Sequence, residues 1–474
     1  MTLVVLPAGI AWIVAAVLAP MDGRKPVWSW VAAFGLAASF VASVLLVFET
    51  LRGGPVEMVA GGWPEAVGIT LRADILGASF AAVSLAVILA AFVHEVLVGI
   101  RSRTFPSLVL FLAAGLSGLF LTGDIFNFYV FFEISMTAAY ILTGYREKDV
   151  QVRAAFIFAV VNLLGSVVFL FGIAALYHVT GSLDMEVVAT RIGEVEPSSI
   201  VPIATSFFVA FSLKLGLFPF HFWLPAVYVG SHAPVAAILS GALANIGSYG
   251  LLRFGAGVMP EELAFGALVV LVLGVASIVY GALQAVSRHA TNEVMAYSAI
   301  GQVGYILVAL AIGGPVGYAA AVVYAIVNSL NKALVFLASG IRGPLAGAAF
   351  AVGAFSIAGV PPAAGFVGKI ALFQTSIQAE GTLRSAALIV LIFAGSALSF
   401  VYSFQVYQRA FLAREWGDNR RPSPRSARAL TAFLAVLVLA MGLWPEPLLV
   451  LGQESADLLL KPPNRGLAEG GATP

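Results

Sequence analysis

The chain has 474 residues, of which 60% are hydrophobic and only 10% charged, and its mean hydropathy is +0.99. Soluble domains carry about 25% charged residues, and a soluble fold of this length has no interior large enough for so much apolar surface. The composition therefore indicates an all-α integral membrane protein. The net charge of +1 gives no pull toward nucleic acid. The absence of cysteine excludes disulfides, thiolate zinc sites and cysteine-ligated iron–sulfur clusters from this chain.

Apolar runs of about 17–25 residues, bounded by turn or charged residues, mark membrane spans. Fourteen are expected, near 2–19, 28–50, 74–98, 106–122, 124–144, 153–178, 200–224, 231–255, 262–286, 293–312, 315–340, 348–378, 385–411 and 428–450. The first lacks a basic leader and a cleavage site and reads as a span, not a signal peptide. Loop 51–72, "LRGGPVEMVAGGWPEAVGITLR", is suited to a small hairpin outside the membrane. Spans seven and twelve carry Gly/Pro interruptions, and after Val450 only a short polar tail is expected.

Fifteen of the 25 basic residues fall in odd-numbered loops and seven in the even loops and tail. Basic loops face the cytoplasm, so both termini are expected outside. The three remaining basic residues are Lys214, Lys332 and Lys369, inside expected spans, where no arginine is placed. An ionisable residue in a span costs at least ~2.5–3.5 kcal/mol on insertion scales. A desolvated lysine can titrate near neutral pH, whereas arginine keeps its proton. Three lysines of this kind point to proton handling; packing alone is the competing reading. Glu133, central in "TGDIFNFYVFFEISMTAAYIL", is the acid counterpart, and Lys214 is its natural partner if spans five and seven touch. Asp124 reads as an interfacial or capping residue.

"KLGLFPFHFWLP" places Lys214 just before a helix break, and "IAGVPPAAGFVGKIALFQ" places Lys369 just after one. Irregular backbone at membrane depth is tolerated only where protein or water satisfies it, and in transporters it marks ion sites in inverted repeats. The two breaks lie five spans apart, and an odd offset reverses membrane orientation. The expected units are 1–105 (spans 1–3), 106–256 (first inverted repeat, spans 4–8), 257–412 (second repeat, spans 9–13) and 413–474 (a cytoplasmic loop, span 14 and the tail). His221 lies in the first break and His232 just before "APVAAILSG"; either can relay protons. His94, His178 and His289 sit near span ends. No phosphate loop, nucleophile elbow, dinucleotide fingerprint or metal-ligand spacing is present, so no cofactor and no metal are expected.

The stretches "TGDIFNFYVFFEIS", "SLKLGLFPFHFWLP", "NKALVFLASG" and "GVPPAAGFVGK" resemble the proton-translocating antiporter-like family. That family comprises large subunits of Mrp-type multisubunit cation/proton antiporters and membrane-arm subunits of respiratory complex I and membrane-bound hydrogenases. "NLLGSVVFLFGIAALYHVTGSLDM" and "GGWPEAVGI" look most like the Mrp-type D subunit. The resemblance implies that Glu133, Lys214, Lys332 and Lys369 belong to a polar axis at the membrane midplane, with protons moving between them through water. Three positions depart from the family pattern. Asn245 stands where a span-eight lysine is usual, Asn328 where a span-eleven histidine is usual, and Asn292-Glu293 where a basic pair precedes "AYS". Asparagine holds water but does not titrate.

The expected function is a proton-translocating subunit of a multisubunit Na+/proton antiporter, in a cell inner membrane or plasma membrane. Other membrane subunits, protons, Na+ and the lipid bilayer are its expected partners. Two alternatives remain open at this point: a proton-pumping subunit of a redox complex, without its own redox centre, and a non-conducting structural subunit.

Overall fold

In lipid, each backbone N–H and C=O must be satisfied within the protein, which turns the apolar runs into helices. The computed structural model describes residues 2–62, 68–379, 381–412 and 423–461. Among the described residues, eleven helices are long and apolar enough to cross a membrane. Three shorter apolar helices, Leu3–Leu18, Phe105–Phe120 and Pro344–Ala358, complete the fourteen spans. Spans 2 to 6 are Pro26–Gly53, Ile75–Val98, Phe105–Phe120, Ile125–Thr143 and Asp149–Thr180. Span 7 is Pro197–Leu215 followed after a break by Leu224–Gly230, and span 8 is Ala233–Val258. Spans 9 to 11 are Pro260–Ser287, Thr291–Ile312 and Gly314–Ser339; span 12 is Pro344–Ala358 and, after a second break, Ala364–Ile377; spans 13 and 14 are Thr382–Leu412 and Arg425–Leu443. The interrupted helices are thus seven and twelve, as expected.

The spans form two classes by burial. Spans 3, 8, 10 and 11 are 83–94% buried and make the centre of the bundle, whereas spans 9, 13 and 14 are at most a third buried. The outer spans turn Phe265, Phe393 and Phe433 away from the protein. Small residues let helices approach closely in a membrane. Spans 9 and 10 use Gly274 and Gly281 against Gly301 and Gly304, where an added Cβ meets backbone atoms of the facing helix.

Aspartates start three helices. Asp74 accepts from the Gly77 N–H at 2.9 Å, Asp124 from Asn127 at 2.6 Å, and Asp184 from Glu186 and Val187. Each satisfies a donor that the first turn leaves free, and Asp124 is a cap as expected. The hairpin in loop 51–72 is present as β1 (Val56–Val59) paired antiparallel with β2 (Thr70–Ala73), with Val56 opposite Ala73. Arg72 joins it to Glu57 at 2.8 Å and to Glu186 of a short helix, Met185–Arg191.

Two expectations are corrected. Span 14 ends at Leu443, and the supposed tail forms another helix, Glu446–Leu460, laid against Ala319 and Val323 of span 11 at Gly452. It is amphipathic, with Leu448, Ala456 and Leu459 buried and Glu454 and Asp457 outward, so its polar residues disguised it. Arg253, counted with the outer loops, lies within the span-8 helix, where Asp74 pairs with it at 2.7 Å. Most of the arginine-rich loop 412–427 (residues 413–422) lies outside the described residues.

Candidate functional site

Breaking a helix frees carbonyls, and the span-7 break shows where they go. Gly216 takes the left-handed conformation (φ 65°) that ends the helix, and the Trp223 indole N–H donates to the Leu213 carbonyl at 2.9 Å. The Phe218 N–H donates to Ser277 Oγ of span 9 at 3.0 Å, pinning the irregular segment to its neighbour. His221 packs on the Tyr280 ring at 4.5 Å, with Nδ1 buried and unpartnered.

This break sets Lys214 at the interior end of its helix, 7% exposed. Its Nζ donates to the Asn162 carbonyl at 3.1 Å and to Ser166 Oγ at 3.4 Å, both on span 6, and lies 4.0 Å from the centre of the Phe132 ring. The expected direct pair with Glu133 is not formed. Glu133 is close enough for its charge to act on Lys214, yet its Oε1 is buried without a hydrogen-bond partner. The physical reason is that Lys214 spends its donors on span 6, and the Phe132 ring packs against the ammonium. Beside Lys214 lies a cavity lined by Asn162, Tyr228, Leu243 and Ile246, with about 10 Å³ open to the centre of a water molecule. That is about the space one water needs.

Span 8 next to this cavity departs from regular helix. Leu239–Leu243 and Leu251–Val258 widen into π turns, and the Ala244 N–H reaches back five residues to the Leu239 carbonyl at 3.1 Å. Such turns recur at functional positions. Between them Asn245 donates to Ser84 Oγ of span 3 at 3.0 Å and accepts from Ser329 Oγ of span 11 at 2.8 Å. One uncharged amide thus ties together three of the four central spans.

Span 11 continues the polar row. Asn328, Ser329, Asn331 and Lys332 are all buried, and Oδ1 of both asparagines lacks a partner. Lys332 Nζ makes no hydrogen bond among the described residues, and Lys369 Nζ is likewise unpartnered. Lys369 follows the span-12 break, which Gly359 (φ 81°) and the Ser356 hydroxyl, accepting from the Gly365 N–H at 2.9 Å, stabilise. The amine lies 3.1 Å from the centre of the Tyr305 ring and 5.4 Å from that of Tyr324. Tyr324 donates to Gln302 Oε1, and Gln302 reaches Tyr402 at 3.4 Å, which meets Ser298 at 2.8 Å. Spans 7, 8, 11 and 12 pack in series, so Lys214, Asn245, Lys332 and Lys369 sit on contiguous elements.

His232 stands apart from this row. It stands immediately before span 8 at one end of the bundle, with Nδ1 3.5 Å from Glu95 Oε2. Sequence reasoning missed Glu95, Asn162, Ser166, Ser84, Asn331, Gln302, Tyr305 and Tyr324. For Asn162 and Ser166 a signal existed: two polar residues one turn apart in the apolar run "VVNLLGSVVF".

The membrane family described as NADH:quinone oxidoreductase/Mrp antiporter, TM, matches residues 122–342, which hold Glu133, Lys214 and Lys332. The chain is 31% identical over 467 residues to the D subunit of the Na(+)/H(+) antiporter of Bacillus subtilis, covering 90% of this chain and 92% of the relative. It is 28% identical to the D subunit of the Na(+)/H(+) antiporter of Alkalihalophilus pseudofirmus, over 97% of both chains. Among solved structures it superposes on a chain of the Mrp complex from Dietzia sp. DQ12-45-1b with a TM-score of 0.89, at 26% identity and 99% coverage of both. The chain belongs to the family of Mrp-type antiporter D subunits, which are multi-pass membrane proteins.

Proposed function

We propose that this chain is the proton-translocating subunit of a multisubunit Mrp-type antiporter that exchanges Na+ for protons. Spans 4–8 and 9–13 are its two inverted half-units, and the odd-numbered loops face the cytoplasm. The observation that carries the reading is the buried row on packed spans 7, 8, 11 and 12: three lysines, none in a direct ion pair, with buried asparagines and serines on the same helices. Buried amines without a counter-charge are costly, and a packing role would have favoured apolar residues. A proton that arrives at Glu133 can pass to Lys214, whose side chain borders the water-sized cavity and donates to Asn162 and Ser166. Beyond it Asn245 cannot carry the charge, so ordered water must bridge to Lys332 and Lys369. Other membrane subunits complete the machine, because the relatives carry subunit names and the solved neighbour is part of a complex.

The test is proton flux in vesicles that contain the assembled complex. Lys214→Ala and Glu133→Ala should each abolish Na+-driven proton movement while the complex still assembles. Parent-level flux in both variants would sink the reading. The breadth of the matching family keeps one rival, a proton-pumping subunit of a redox complex. Recovery of this chain with iron–sulfur or nickel subunits, instead of small antiporter subunits, would favour that rival.

A further inference from the structure

Away from the lysine row, one carboxylate is sealed completely from solvent. Glu95, near the end of span 3, has 0% side-chain exposure. Its Oε1 accepts from the Tyr145 hydroxyl at 2.9 Å and from the Arg146 guanidinium at 3.0 Å. Its Oε2 accepts nothing among the described residues and faces Nδ1 of His232 at 3.5 Å, an atom that is also buried and unpartnered. His94 beside it has both ring nitrogens buried and unpartnered. The loops after spans 3, 5 and 7 converge here, and the Arg101 N–H donates to the Tyr145 hydroxyl at 2.9 Å.

A clamp that only held three span ends together would satisfy both carboxylate oxygens. This one leaves an acid oxygen and an imidazole nitrogen facing each other, short of a hydrogen bond. Their exposures are ordered: the His232 side chain is 23% exposed and Glu95 is sealed behind it. Both elements lead inward. His232 opens span 8, whose Leu239, Leu243 and Ile246 line the cavity beside Lys214, and Tyr145 follows span 5, which carries Glu133.

We propose that Glu95 and His232 form a proton-loading pair that feeds the lysine row from the end of the bundle where the loops after spans 3, 5 and 7 meet. The inference rests on the proton-conducting reading above. Neutral His232 that carries its hydrogen on the buried Nδ1 takes a proton from water at Nε2, on the exposed side of the ring; the Nδ1–H bond then breaks as an Oε2–H bond forms. The imidazolium returns to neutral imidazole and the carboxylate becomes a carboxylic acid, so the pair's charge is unchanged by the transfer. The groups that face the pair are Arg146, Tyr145 and Lys148 after span 5, Arg101 after span 3, and His94 on span 3. Burial, then the Arg146 charge, lowers His232 to about 3. It is therefore a carrier in passing and Glu95 the site of rest. Burial, then the Glu95 charge, raises Tyr145 to about 12, so it remains a hydrogen-bond donor.

The experiment measures proton flux against pH in vesicles of the assembled complex, for Glu95→Gln, Glu95→Asp and His232→Ala, with Lys214→Ala as reference. A proton-transfer residue contributes roughly 10²–10⁴-fold, so Glu95→Gln should lower flux at least tenfold, with the loss growing as pH rises. Glu95→Asp should restore part of it. His232→Ala should be slow, and added imidazole, which diffuses to the opened site, should speed it up. A merely structural role responds to neither the acid's return nor imidazole. If Lys214→Ala is inactive while Glu95→Gln keeps the parent's rate and pH profile, or imidazole fails to rescue His232→Ala, the loading pair is wrong and the conducting row stands. If Lys214→Ala is silent too, both fall.

Discussion

The Lys369 amine rests 3.1 Å from the centre of the Tyr305 ring, with Tyr324 closing a second side and no hydrogen-bond acceptor in reach among the described residues. A desolvated cation over a ring gains about 2 kcal/mol, less than the ~2.5–3.5 kcal/mol that a charge costs at this depth. The rings offset part of the charge; the rest needs water or a change of charge. Tyr305→Phe keeps the ring and should preserve transport, because the Tyr305 hydroxyl has no partner to lose. Tyr305→Leu removes the ring face and should slow transport severalfold at unchanged assembly. Equal flux in the Phe and Leu variants would show that the ring does not hold the amine.

Asn245 supports a prediction on stability and one on transport. Interhelical hydrogen bonds in membranes average about 0.6 kcal/mol, so losing those to Ser84 and Ser329 in Asn245→Ala should cost about 1 kcal/mol. Asn245→Lys supplies no acceptor for Ser329 and adds a charge to a row that already holds three lysines. Two charges ~10 Å apart at an effective dielectric of about 20 repel by roughly 1.7 kcal/mol, enough to move the pH profile of transport by about a unit. Asn328→His should move it less, since imidazole can stay neutral. Profiles that overlay the parent's in both variants would favour a structural, non-conducting subunit.

Acid should loosen the end of the bundle around His232. Its value is lowered from 6.5 to about 3 by burial and by Arg146. As the pH falls from about 6.5 toward 3 the unfolded chain takes up a proton that the folded chain refuses, so stability falls with pH across that window. His232→Gln should flatten part of this decline. Melting of the solubilised complex from pH 7 to 4 reads it directly; an unchanged slope in the variant would show that His232 is not the acid-sensitive group.

The loop 412–427 carries four arginines and should face the cytoplasm. The chain has no cysteine of its own, so a single cysteine introduced at Ser423 reports cleanly. An impermeant thiol reagent should reach it only from the cytoplasmic side. Labelling of intact cells from outside would invert the topology.

Charge and backbone breaks were readable in the sequence because they violate the local pattern. Lys214, Lys332 and Lys369 interrupt apolar runs, and the Gly/Pro clusters at 216–225 and 359–365 announce the two breaks. What depends on partners far along the chain was not readable. Glu133 was assigned to Lys214, but the lysine turns to Asn162 and Ser166 about fifty residues away. Gln302, Tyr305 and Tyr324 look like ordinary residues of apolar helices until Lys369 is placed among them. The π turns flanking Asn245 alter hydrogen-bond register without altering side-chain pattern, and Glu95 was hidden by its position near a span end.

The inner position of spans 8, 10 and 11 bears on how the protein is made. Spans 2, 6, 9 and 13 are markedly apolar and present much of their surface outward, so each can enter lipid as it leaves the ribosome. Spans 8, 10 and 11 are among the least apolar of the set and almost wholly enclosed, and two of them hold Asn245, Asn328, Asn331 and Lys332. Alone in hydrocarbon these groups would be stranded. They have to leave the insertion channel in company, with span 8 waiting for span 11 to bring Ser329 to Asn245 some eighty residues later. The polar centre of the bundle is therefore completed late in synthesis, only after span 11 has supplied Ser329 to Asn245.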